Sequence, residues 1–173
     1  MTEREGAVTF QGNPLTLVGD EPAVGDAPRA FTVLANDLSE VSLASLHGRV
    51  CVLATVPSLD TPVCDTEARR FNQAAAALGE DVAVLAVSMD LPFAQARWCG
   101  AAGVRNVRSL SDHRDAAAGE ALGVLIQELR LLARAVFVLD REGVIRYKQI
   151  VPELTDEPDY DAALAVARDL AGS

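Results

Sequence analysis

Pro57-Ser58-Leu59-Asp60-Thr61-Pro62-Val63-Cys64 decides how this chain folds. Ahead of it, Val50 to Val56 is a continuous apolar run of strand length, rich in β-branched residues, which predicts a buried central strand. Behind it, Asp65 to Leu78 has helical spacing and is closed by Gly79. A strand therefore hands over to a helix at a cysteine. Thr61 is a favoured N-cap and Pro62 a favoured first helical residue, so Cys64 falls at the third helical position. The opening N–H groups of a helix have no partner within it, and the macrodipole favours negative charge there. Such a position, with a cation nearby, stabilises a thiolate, the nucleophilic form of cysteine.

Working outward, Val8 to Val18 reads as a hairpin turned at Gly12-Asn13-Pro14. Gly19 to Pro28 is a loop. Phe31 to Leu34 and Glu40 to Leu43 are short strands around a turn at Asn36-Asp37. Val63, Phe71, Ala74, Ala75 and Leu78 form the expected inner face of the cysteine helix. Val82 to Val87 is a second buried strand, and Leu91 to Ala102 a short helix with Trp98 and Cys99. Val107 to Leu110 is a strand, Ala116 to Leu122 a helix, and Ala135 to Leu139 a strand turned into Val144 to Val151. A last helix, Asp159 to Leu170, is capped by Gly172. Strands alternating with helices, then a hairpin and a terminal helix, predict an α/β fold with a mixed central sheet.

The 173 residues suit one domain, 1–173, able to bury its own core without a disulfide or metal staple. The net charge of −10 argues against nucleic acid and anionic membranes as partners. No apolar run approaches the roughly 20 residues that span a bilayer. Met1 to Gly6 lacks a basic lead and an apolar core, so no signal peptide is expected and the placement is cytoplasmic.

Three cysteines do not make a secreted disulfide framework and read as individual thiols. Cys51, inside the Val50 run, reads as a buried core thiol. Cys99 is either a core thiol or a disulfide partner for Cys64, and the latter requires the Cys64 turn to unwind. Asp60, Asp65 and Glu67 lie near Cys64 in sequence, and like charge opposes a thiolate. A cation must therefore come from elsewhere. Arg69 and Arg70 are more than a turn along the helix, whereas Arg134 directly precedes the Ala135 strand, at the mouth of the sheet. With no Cys-x-x-Cys and isolated His47 and His113, no metal site is expected.

At these residues the chain resembles the peroxiredoxins, and within them the atypical two-cysteine, thiol peroxidase branch. Pro57, Thr61 and Cys64 match the pattern Pro-x-x-x-Thr-x-x-Cys. Asp90 to Gly100 resembles the branch's resolving-cysteine segment, Leu132 to Val136 the segment with its active-site arginine, and Glu157 to Leu164 its C-terminal helix. The resemblance implies a thioredoxin-like fold with an N-terminal β-hairpin, in a homodimer. It implies Cys64 as peroxidatic cysteine, Cys99 as resolving cysteine, Thr61 and Arg134 as peroxide ligands, and Pro57 as a shield for the sulfur. It further implies thioredoxin as reductant, hydrogen peroxide and alkyl or lipid hydroperoxides as substrates, and no cofactor. A disulfide exchanger and a non-enzymatic binding module on the same fold are the competing readings; the missing Cys-x-x-Cys counts against the first.

Overall fold

The chain opens with a hairpin, Glu3–Phe10 (β1) and Asn13–Val18 (β2), in a computed structural model that describes residues 2–172; Met1 and Ser173, the ends of the expected 1–173 domain, lie outside the described residues. Phe10 pairs with Asn13, so the turn is Gln11-Gly12, not Gly12-Asn13-Pro14. Both turn residues have positive φ, 49° and 82°, as a tight two-residue hairpin turn requires. The first strand also begins earlier than its apolar alternation suggested, because a register shift between Arg4 and Val8 lets a polar, exposed segment join the ladder.

Thr32–Leu34 (β3) and Glu40–Ser42 (β4) follow, then a 3₁₀ turn over Leu43–Leu46. Val50–Thr55 (β5) leads through the Pro57 loop into Pro62–Leu78 (α1). Val82–Ser88 (β6), Pro92–Ala102 (α2), Arg108–Ser111 (β7) and Ala117–Leu122 (α3) come next. Two short strands absent from the sequence reading, Leu125–Ile126 (β8) and Leu131–Leu132 (β9), precede Ala135–Leu139 (β10), Ile145–Ile150 (β11) and Tyr160–Ala171 (α4).

Seven strands form the main sheet in the order β11-β10-β5-β6-β7-β3-β4. The β5–β6 and β6–β7 pairs are parallel and the rest antiparallel, so the sheet is mixed, as expected. Every residue of β5, β6 and β10 is buried, which explains their continuous apolar runs. Val50, Val52 and Ala54 point to one face, against Phe71 and Ala74 of α1 and Leu164 of α4. Cys51 and Leu53 point to the other, among Leu17, Leu122, Leu125 and Phe137. That second face is covered by α3 and by the small sheet β1-β2-β8-β9. Each fully buried Leu or Phe contributes about 1.5–3 kcal/mol. The arrangement is thioredoxin-like, and it leaves the β5–α1 junction at one end of the central strands.

Candidate active site

Cys64 is the third residue of α1, with Thr61 at the N-cap and Pro62 at the first helical position. The first helical hydrogen bond runs from Asp65 N–H to the Thr61 carbonyl, 2.9 Å, so the Cys64 N–H has no partner inside the helix. The Thr61 side chain does not cap the helix; its hydroxyl instead donates to the Ser58 carbonyl at 2.9 Å. That bond folds the loop back on itself and keeps the hydroxyl beside the turn that carries the sulfur. Cys64 is fully buried, in a small cluster with Val56, Leu59 and Ala68, and Trp98 packs against it. Pro57 is buried as well. An open groove of about 590 Å³ runs beside the loop, lined by Leu59, Asp90, Leu91, Phe93 and Trp98.

The three nearby acids are each accounted for. Asp60 is exposed. Asp65 accepts from Arg69 Nε at 2.9 Å and from Trp98 Nε1 at 2.9 Å. Glu67 is buried one turn after Cys64, on the same helix face, and pairs with Arg134 at 3.4 Å. Burial pushes the Glu67 carboxyl up to about 7, while the Arg134 charge pulls it back. Arg134 is 2% exposed, so its guanidinium faces the protein rather than water. Its Nε and Nη2 both donate to the Leu154 carbonyl, at 3.0 and 2.8 Å. The fork is thus held from one side by a main-chain oxygen and from the other by Glu67.

The N-terminal hairpin fixes that main-chain oxygen. Leu154 N–H donates to the Thr9 carbonyl at 2.8 Å, and Thr9 N–H to the Pro152 carbonyl at 2.7 Å. Between them, Glu153 accepts from Thr9, Gly12 and Thr155, which holds its carboxyl down at about 2. Behind Arg134, Thr55 Oγ1 donates to the Ala133 carbonyl at 2.8 Å. Near Glu67, the Tyr160 hydroxyl donates to Glu157 and its ring stands edge-on to Phe71, centroids 5.2 Å apart.

The structure unites Pro57, Thr61 and Cys64 in one loop and turn, and ties Arg134 to them through Glu67. It does not join Cys99 to Cys64: all three cysteines are free thiols. Cys99 sits within intact α2, half-buried, its sulfur 3.4 Å from Ser109 Oγ on β7. Ser109 Oγ donates to Asn36 Oδ1 at 3.1 Å, which leaves it an acceptor for the Cys99 S–H. Cys51 is 3% exposed, and burial pushes its thiol up to about 11, in keeping with a core role. Sequence reasoning treated Glu67 as an opposing charge and passed over Asp90 and Leu154. The clue for Glu67 was its place three residues after Cys64; a main-chain carbonyl such as that of Leu154 leaves no mark in side-chain identity.

A thioredoxin-like domain with a buried cysteine at a helix start, one turn from a buried Glu67–Arg134 pair, defines a thiol-based oxidoreductase of the peroxiredoxin type. A family model described as Redoxin matches residues 23–164. The thiol peroxidase of Bacillus subtilis (strain 168) is 55% identical over 163 residues, 94% of this chain and 97% of that protein. The thiol peroxidase of Staphylococcus aureus (strain MRSA252) is 52% identical over 163 residues, 94% and 98% of the two chains. Among solved structures, a peroxiredoxin-like protein from Aquifex aeolicus superposes with a TM-score of 0.89 at 46% identity, covering 95% of this chain and 97% of that one. The chain belongs to the redoxin family and, within it, to the thiol peroxidases.

Proposed function

We propose that this enzyme reduces hydrogen peroxide and alkyl or lipid hydroperoxides through Cys64, in antioxidant defence, and is recycled by thioredoxin. The Cys64 thiolate attacks one peroxide oxygen; the O–O bond breaks and the other oxygen leaves as water or alcohol after taking a proton. Thr61, Arg134 and the Cys64 N–H hold the two oxygens and offset charge on the leaving one. Pro57 shields the sulfur from bulk water. Cys64 becomes a sulfenic acid. Its turn then unwinds, the Cys99 sulfur attacks, an intrachain disulfide forms, and water is lost. Thioredoxin reduces that disulfide by thiol exchange. No cofactor enters the cycle.

The observation that supports this reading is the buried Glu67–Arg134 pair one turn from Cys64, a cation held on the helix face that carries the sulfur. The apolar groove next to the loop, with Leu91 and Phe93 exposed in it, favours alkyl chains among the substrates. The same reading takes residues 1–173 as one domain, working as a cytoplasmic homodimer.

Intact-mass analysis after one equivalent of cumene hydroperoxide tests it. The expected product has lost two hydrogens and carries a Cys64–Cys99 bridge. Cys64→Ser is expected to lose peroxidase activity; near-normal turnover in that variant would refute the assignment. Cys99→Ala is expected to consume about one equivalent of peroxide per chain and then fail to recycle with thioredoxin.

A further inference from the structure

Asp90 holds two elements at once. It stands immediately before Leu91, the N-cap of α2, and its own carbonyl accepts from Ser111 Oγ at 2.5 Å. Both oxygens of its side chain reach across to the loop ahead of α1. Oδ1 accepts from Ser58 Oγ at 2.7 Å, and Oδ2 accepts from Leu59 N–H at 2.8 Å. Oδ2 also accepts from Ser88 Oγ at 2.7 Å, and Ser88 in turn accepts from buried Gln95 at 3.0 Å. On the loop side, the Ser58 hydroxyl accepts from Asp60 N–H and the Ser58 carbonyl accepts from Thr61. One carboxylate, bonded in three directions, therefore ties the Pro57–Thr61 loop to the start of the helix that carries Cys99. Bonds to a carboxylate are the strong kind, so this tie resists opening. A lighter tie lies further along, where Trp98 donates to Asp65 at the start of α1.

We propose that Asp90 is a positioning residue that latches the Cys64 loop to the Cys99 helix, and that the opening of this latch divides oxidised Cys64 between two fates. The proposal rests on the roles given to Cys64 and Cys99 above. With the latch shut, Cys64 stays in its apolar cluster and the Cys99 sulfur stays against Ser109. A disulfide requires the two α-carbons to come within about 7 Å, with both sulfurs turned toward each other. With the latch open, the Cys99 sulfur attacks the sulfenic sulfur: an S–S bond forms, and the sulfenic oxygen departs as water with the Cys99 proton. With it shut, a second hydroperoxide reaches the sulfenate: its O–O bond breaks, a second S–O bond forms, Cys64 is oxidised to sulfinic acid, and the hydroperoxide is reduced to its alcohol.

The test exposes wild type, Asp90→Asn, Ser58→Ala and the double variant to rising cumene hydroperoxide with thioredoxin present. Intact mass then separates the disulfide, two hydrogens lost, from the sulfinic acid, two oxygens gained. Asp90→Asn keeps the shape but halves the acceptor capacity. It is expected to raise the peroxide concentration giving half sulfinic acid by about tenfold, equivalent to roughly 1.4 kcal/mol. Ser58→Ala, which removes one bond from the loop side alone, is expected to shift it in the same direction by less. The double variant is expected to go no further than Asp90→Asn, because the two residues share a contact. An unchanged or lowered threshold, or independent additive shifts, overturns the latch. Should Asp90→Asn not fold, the Ser58→Ala shift decides alone. Wild type that gains no oxygen and loses no hydrogen at Cys64 would overturn the Cys64 assignment itself, and the latch with it.

Discussion

Glu67 is a carboxyl whose ordinary value of 4.5 is pushed up to about 7 by burial, against the pull of Arg134. A raised carboxyl value means that the fold favours the protonated form. Its contribution to stability is therefore full below about pH 4.5 and is lost as pH rises through about 7. Glu67→Gln removes this titration and keeps an acceptor for Arg134. Urea denaturation at about pH 5 and about pH 8 is expected to show a smaller difference for the variant than for wild type, by up to about 3 kcal/mol. The same proton weakens the hold on the guanidinium. Rapid-mixing measurements of Cys64 oxidation are expected to change between about pH 6 and pH 8 in wild type more than in Glu67→Gln. A variant with the wild-type profile would show that Glu67 does not report on Arg134. The position was visible in the sequence, but its meaning was not. Three nearby acids read as one repulsive group, whereas the fold leaves Asp60 exposed, gives Asp65 to Arg69 and Trp98, and pairs Glu67 with Arg134.

The hairpin of β1 and β2 is where an element far from the sulfur reaches the chemistry. Thr9 fixes Leu154, and the Leu154 carbonyl aims Arg134. Glu153→Gln loosens that joint without touching the site. It is expected to lower kcat/KM for hydrogen peroxide by about three- to tenfold, with unchanged far-ultraviolet dichroism. The Glu153 carboxyl is held down at about 2, against 4.5 when free, so its contribution is present above about pH 4.5 and fades as pH falls toward 2. The α1 element shows how far periodicity carries. Its helical span, N-cap and first proline follow from the sequence, but the buried stripe is Cys64, Glu67, Ala68, Phe71 and Ala74, not one that begins at Val63. Apolar counting assigned Val63 to the inside and passed over Glu67, because a carboxylate is rarely a core residue. A stripe that buries a paired charge is the place where that rule fails. Trp98, the single tryptophan, donates to Asp65 across the α1–α2 gap. Its emission is expected to move to longer wavelength when the disulfide forms and that bond breaks; an emission maximum that stays put would argue against unwinding there.

At the scale of the whole molecule, the two faces of one sheet do different work. The α1–α4 face carries the Cys64 helix, and the opposite face is closed by α3 and the small sheet. The main sheet was legible because β5, β6 and β10 are buried on both faces and so read as unbroken apolar runs. The strands β8 and β9 were not, since two residues show no period and β8 joins the small sheet only through β2, which is distant in sequence. Gly19 marks the joint between the small sheet and α3. It has a φ of +112°, and a Cβ there would lie 2.3 Å from the Glu120 carbonyl oxygen. Gly19→Ala is expected to destabilise the fold by about 2 kcal/mol or more in a thermal melt, while the folded fraction keeps its peroxide reactivity. Both margins of the seven-stranded ladder are also obstructed. Along β11, Ile145 exchanges main-chain hydrogen bonds with Gly25 and Asp26, and Lys148 donates to Pro22. At the far margin, three-residue β4 presents Glu40 to Arg114. Neighbouring molecules thus find little bare edge on this ladder to zip onto, so crowded solutions of this protein resist fibre growth through these two margins.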